Sequence, residues 1–205
     1  MDRTALGVLL SFVFIAVVIA ASKAFKENRK FVHIGVSNWF FIYYFLIEKD
    51  LWAILGLAVF SIINIMVPVD GDRKRSAGLF IYPLSVIAMI GLVNLGFGTR
   101  EAVGCGLLGM GYGDGLAAVF GKKHGGAKVS DKTGKTWCGT LAMFIACIPV
   151  CIGMWLLQGL PMSALMVLKA VGISAVSTMV EAFSPNGLDN LTVPLLMFVM
   201  YVGLT

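Results

Sequence analysis

Charged side chains are scarce in this sequence. Asp, Glu, Lys and Arg make up 13% of its 205 residues, histidine occurs twice and cysteine four times, against 59% apolar residues. So little charge excludes an ordinary soluble domain, which carries about 25% charged residues, and a mean hydropathy of +0.90 points to an integral membrane protein. Two histidines are too few for a zinc site. Cys105, Cys138, Cys147 and Cys151 lie in or beside apolar runs without paired ligand spacing, and read as small core hydrophobes rather than a disulfide framework. A Walker A loop is also missing, because the GKT at 134–136 would need a glycine where Val129 stands. The N-terminal run lacks a basic leader and an A-x-A-like cleavage site, so it is expected to remain as a helix.

Long apolar runs are what the chain has instead. They fall at 4–22, 31–47, 51–68, 78–96, 101–120, 137–157, 162–182 and 191–205, each about 17–21 residues or close to it, the length that crosses a hydrocarbon core. The expected fold is a single all-α domain over 1–205, a polytopic membrane bundle of eight helices, or seven if the last run does not span. A basic loop is expected at 121–136.

The cations order the topology, since Lys and Arg gather in cytoplasmic loops. Twelve fall on one side: Lys23, Lys26, Arg29, Lys30, Arg73, Lys74, Arg75, Lys122, Lys123, Lys128, Lys132 and Lys135. Arg3, Lys49 and Arg100 fall on the other, and Lys169 sits inside the seventh run with no assigned role. The chain is expected to start and finish outside, with one cationic cytoplasmic face that attracts anionic lipid or a nucleotide. No nucleic-acid partner is expected.

On this topology the polar residues of the spans converge. His33 and Ser37, Asn64, Tyr82 and Ser85, Asp114 and Thr140 all lie toward the cytoplasmic ends of their runs. Ser174, Ser177, Thr178 and Glu181 draw one stripe on the seventh, by their i, i+3, i+4, i+7 spacing. Ionisable residues at membrane depth are costly and usually face a cavity. Three acids stand out: Asp114, Glu181 and Asp189, the last after the turn signals of SPNGLDN. Asp189 also reads as a helix cap. Hard oxygen ligands of this kind suit Mg²⁺, which takes one or two carboxylates together with substrate phosphates.

Asp114 stands among Gly109, Gly111, Gly113 and Gly115, which permit either close helix packing or close approach of a phosphate. Lys122, Lys123, His124, Lys128, Lys132, Lys135 and Thr136 follow at once. A polyanion held between a metal and lysines fits that succession. A small transporter is the reading from another class, but transporters show paired halves and midplane sites, and here no internal repeat is visible.

RKFVHIG (29–35), YPLS (82–85), GYGDGLAAVFGKKHG (111–125) with Lys128 and KTWCGTLA (135–142), and VEAFSPNGLDNLTVPL (180–195) together resemble the polyprenol kinase family. That family embraces dolichol, phytol and farnesol kinases and CTP-dependent diacylglycerol kinases, and is more distantly similar to CDP-diacylglycerol synthases. The resemblance runs from Arg29 onward. It implies transfer of the γ-phosphoryl group of a nucleoside triphosphate, usually CTP, to the hydroxyl of a membrane lipid alcohol, either diacylglycerol or a polyprenol, with Mg²⁺.

It also implies the site. Asp114, Glu181 and Asp189 would be catalytic and metal-binding, with Glu181 either a third ligand or the base. Gly113, Gly115, Lys122, Lys123, Lys128, Lys135, Thr136 and Asn190 would hold nucleotide and phosphate. Arg29 and Lys30 would also bind phosphate and share a helix face with His33, for which three roles stay open: proton acceptor, phosphate ligand, or a hydrogen-bonded helix end. Phosphatidate cytidylyl transfer is the alternative enzyme, but that enzyme's long C-terminal signature is absent. The expected place is a bacterial or archaeal cytoplasmic membrane, with the site on the cytoplasmic side. The sequence carries no signal for oligomeric state.

Overall fold

The computed structural model describes residues 2–22, 28–66, 73–130, 133–185 and 187–205, and of 28–30, 64–66 and 73–79 the backbone alone. The described residues form nine helical segments: α1 (Arg3–Ser22), α2 (Asn28–Ser37), α3 (Trp39–Leu46), α4 (Asp50–Met66), α5 (Arg73–Asn94), α6 (Arg100–His124), α7 (Trp137–Leu157), α8 (Ala164–Phe183) and α9 (Asp189–Leu204). Helices α1, α6, α7 and α8 are long and apolar enough to cross a membrane, and the others supply shorter apolar stretches. The molecule is an all-α transmembrane bundle.

Eight runs become nine segments because the run at 31–47 breaks at Asn38. The Asn38 amide donates to the Ile34 carbonyl at 2.9 Å and accepts from the Tyr112 hydroxyl at 2.7 Å. A side-chain amide that binds backbone and a neighbouring helix competes with the helical ladder. The chain therefore turns once between the polar α2 and the aromatic α3.

Helix α6 is the axis. It packs against α2, α3, α5, α7 and α9, and every residue from Ala102 to Gly111 is buried. A helix enclosed on all sides needs a thin profile, and its glycines provide one. A Cβ on Gly106 would come 2.5 Å from the Pro194 carbonyl oxygen, and one on Gly113 would meet Met143 at 2.9 Å. Gly115 faces Ile34 in the same way. The expectation that Gly113 and Gly115 receive phosphate is corrected here: they lie inside a helix, and the space beside them is filled by α7 and α2 side chains. Across the same contact, a Cβ on Gly139 would stand 2.7 Å from the Ala117 carbonyl oxygen. Gly139→Ala should cost about 1–3 kcal/mol by forcing α6 and α7 apart. Gly153→Ala, on the same helix with nothing within 4 Å, should be neutral or slightly stabilising. Thermal unfolding of the two variants in detergent checks the contrast.

The segment 121–136 is not wholly a loop. Lys122, Lys123 and His124 form the last turn of α6, where cations complement the negative end of the helix. Gly125, at φ 60, then ends it. At the opposite end of the bundle Arg100 reaches the Ile47 carbonyl at 2.7 Å, pairs with Asp50, and lies 4.8 Å over the Tyr43 ring. That cluster ties α3, α4 and α6 together.

The four cysteines are free thiols. Three of them are buried.

Candidate active site

Three helices bring the acids together. Asp114 comes from the second half of α6, Glu181 from the last turn of α8 and Asp189 from the first turn of α9, and one carboxylate oxygen of each lies within 4.8 Å of the others. The turn between α8 and α9 makes this close return. Leu188 donates to the Pro185 carbonyl at 3.1 Å, and Gly187 takes φ 86. Asp189 is not the helix cap. Leu188 holds that position without a side-chain bond, while Asp189 Oδ1 accepts from the Asn190 amide at 3.0 Å and Oδ2 turns toward a lysine.

That lysine is Lys135. Its ammonium lies 2.6 Å from Glu181 Oε1 and 2.9 Å from Asp189 Oδ2, and donates to the Glu181 carbonyl at 2.5 Å. Thr133 donates to the next carbonyl, Ala182, at 3.0 Å. The last carbonyls of a helix lack partners within it, so these two donors clip the loop onto the end of α8. Burial works against the Lys135 charge, but the Glu181 and Asp189 carboxylates outweigh it and hold the pKa above its ordinary value. The ammonium therefore stays charged at neutral pH. A raised folded pKa gives stability that is whole at lower pH and is lost only in alkaline solution, as pH rises through it.

Beside the acids lies a partly open cavity of about 250 Å³, lined by Asp114, Gly121, Lys122, Lys135, Thr136, Thr140 and Glu181. Thr136 also caps α7, accepting from the Gly139 amide at 3.2 Å. The structure thus gathers Asp114, Glu181, Asp189, Lys122, Lys135 and Thr136. It does not gather them all: Lys123 and Lys128 are exposed and off the cavity wall. His33 is also away from that wall, buried against Tyr82 with ring centroids 4.3 Å apart. Arg29 and Lys30 lie on α2, but their side chains are outside the described ones; Lys23, Lys26, Lys132 and Asn186 are outside the described residues altogether.

The polar stripe of α8 faces inward. Ser174, Ser177, Thr178 and Glu181 are all buried, and the three hydroxyls have no hydrogen-bond partner among the described residues. The Thr140 hydroxyl and Asn190 Oδ1 are in the same state. Buried polar groups are normally satisfied, so these oxygens mark where water or a ligand belongs. Thr140, which the sequence placed among the polar residues converging at one end of the spans, lies on the cavity wall. The pairing of Lys135 with α8 had no signal of its own beyond the general need of helix-end carbonyls for donors.

The donor set fits a hard divalent cation. Three carboxylates supply hard oxygens, Asn190 adds an oxygen without a partner among the described residues, and the 4.8 Å spread is close to the roughly 4.2 Å across an octahedral Mg²⁺ shell.

Comparison with known proteins adds to this geometry. No protein-family model matches the chain, and no solved structure is significantly similar. The chain is 32% identical over 179 residues to a phytol kinase of Synechocystis, covering 83% of this chain and 76% of that protein. It is 28% identical over 192 residues to a probable chloroplastic phytol kinase of Glycine max, covering 83% of this chain and 60% of the soybean protein. Identity at that level, along most of both cyanobacterial and present chains, shows that the chain belongs to the polyprenol kinase family, among relatives of the phytol kinases.

Proposed function

We propose that the protein is a kinase of a membrane isoprenoid alcohol, transferring the γ-phosphoryl group of CTP to the lipid hydroxyl at the cytoplasmic interface, with Mg²⁺ in the acidic cluster. The observation that carries this reading is the meeting of Asp114, Glu181 and Asp189 beside a cavity edged by Lys122 and Lys135, in a chain whose relatives are phytol kinases. Those relatives favour an isoprenoid alcohol over diacylglycerol. CTP as donor rests on the family resemblance, and the cytoplasmic location on the clustering of cations at one face.

Phosphoryl transfer asks mainly for positioning and charge neutralisation. Asp114, Glu181 and Asp189 would hold the metal, which would supply positive charge to offset that gathered on the phosphate groups in transfer. Lys122 and Lys135 would bind the remaining phosphate oxygens, and Lys135 would at the same time keep Glu181 and Asp189 in place. The hydroxyl oxygen bonds to the γ-phosphorus as the bond to the leaving CDP oxygen breaks, and the hydroxyl proton passes to a carboxylate of the cluster.

The test is a panel of phytol, undecaprenol and diacylglycerol in nanodiscs with γ-labelled CTP, ATP or GTP. Label should enter an isoprenoid alcohol, with CTP the best donor. It should vanish with EDTA and return with Mg²⁺. Undiminished labelling in EDTA, or labelling of diacylglycerol alone, would reject the corresponding part of the proposal.

A further inference from the structure

A second cavity has the opposite chemistry, and it meets α6 at Leu107, about two turns before Asp114. It has about 260 Å³ and is walled by α1, α3, α4, α5 and α6, through side chains such as Phe12, Trp39, Phe60, Tyr82 and Leu107. Its polar groups are spoken for. The Ser11 hydroxyl donates to the Gly7 carbonyl at 2.7 Å and accepts from Trp39 Nε1 at 2.8 Å, and the Tyr82 hydroxyl donates to the Leu107 carbonyl at 2.5 Å. An apolar chamber with satisfied walls has no use for water.

We propose that this chamber holds the single apolar chain of the lipid alcohol; the identity of the guest as substrate rests on the kinase reading above. Three observations select that occupant. The chamber follows α4 from Trp52 to Ile63, about 16 Å at the rise of a helix, which is roughly half the ~30 Å hydrocarbon core. Its volume of about 260 Å³ lies just below the usual range of ligand sites, about 300–1,000 Å³, so it suits one slender chain rather than the two of diacylglycerol. Its side is open to lipid, since Phe12 and Trp52 are both half exposed at its rim, which gives a chain a way in from the bilayer.

One wall of the chamber comes close to the acidic cluster. Tyr82 forms part of its wall, with His33 packed on the Tyr82 ring. A Cβ on Gly111 would lie 3.3 Å from the Tyr82 hydroxyl, and Gly111 is one turn of α6 before Asp114. A chain lying along α4 with its hydroxyl at Tyr82 would have its head about 4.5 Å along α6 from the first acid of the cluster.

Gly56 offers the test, because it lines the chamber and a Cβ there would meet nothing within 4 Å. Gly56→Leu should fill the chamber without a backbone clash, and Gly56→Ala serves as the mild control. With phytol as acceptor the Leu variant should raise KM about tenfold, leaving the KM for CTP and turnover with a five-carbon prenol unchanged. Unchanged phytol KM would overturn the proposal. Binding is read separately with a phytol analogue carrying a diazirine in mid-chain, without nucleotide, in nanodiscs. Adducts should map to α1 and α4 around Phe12 and Trp52, be displaced by excess phytol, and fall in Gly56→Leu. Adducts scattered over lipid-facing positions such as Leu168 and Met179 and not displaced, or displaced equally by diacylglycerol, would overturn it. If the wild type phosphorylates no alcohol while displaceable adducts stay in the chamber, the chamber assignment holds and the kinase reading fails.

Discussion

Asp114→Asn should abolish lipid phosphorylation, with a loss on the order of 10³-fold or more. The substitution keeps shape and size but removes one of three negative charges that meet within 4.8 Å. An isolated carboxylate on a helix surface would be dispensable. Asp114 instead stands on the buried axis helix, on the wall of the cavity that also carries Lys122 and Lys135, where no protein chain keeps an acid cheaply. Removing a single preorganised electrostatic group from a transfer site typically costs 10²–10³-fold, and loss of a metal ligand costs at least as much. The fold should survive, because the amide retains the volume. Labelled-phosphate transfer at saturating nucleotide, together with an unchanged elution profile in detergent, checks both halves. Retention of more than a tenth of the activity would remove Asp114 from the site.

Lys135→Met should lower both activity and stability. Lys135 is the one described cation that touches two of the acids, and it also ties the loop to the end of α8. Breaking a fully buried pair by removing one partner costs about 3–5 kcal/mol. The Lys135 side chain keeps 22% exposure, so about 2 kcal/mol is a fairer expectation. Activity should fall about 10²-fold, since in the proposed site the same ammonium would be the phosphate ligand nearest the acids. Mg²⁺ should raise the apparent Tm of Lys135→Met more than that of the wild type, because a cation then offsets charges that have lost their lysine. Lys135→Arg should recover stability in part but not full activity, as a planar fork does not replace a compact ammonium. Equal Mg²⁺ effects on wild type and Lys135→Met would show that the acids do not share a cation site.

Much of the bundle was legible because lipid imposes a blunt rule on sequence. Apolar runs of spanning length give away the helices, and acids inside or just beyond them give the candidate cluster: the structure brings Asp114, Glu181 and Asp189 together from three helices. What sequence could not show depends on partners far along the chain. The break at Asn38 needs Tyr112, 74 residues away, to hold its amide. Gly113 and Gly115 fit either packing or phosphate until Met143 and Ile34 are seen to fill the space beside them. Lys122, Lys123, Lys128 and Lys135 look alike in a row of cations. Only the fold sets Lys135 on the acids and turns Lys123 and Lys128 outward. The apolar chamber had no signature at all, since its lining residues are the same kinds that face lipid elsewhere.

The most direct test uses CTP labelled separately at the α- and γ-phosphorus, with phytol and Mg²⁺ in nanodiscs. The account predicts that only γ-label moves to the lipid, with stoichiometric CDP, and that Asp114→Asn transfers none. Label moving to the lipid from the α position, or no transfer from CTP to phytol at all, would contradict it.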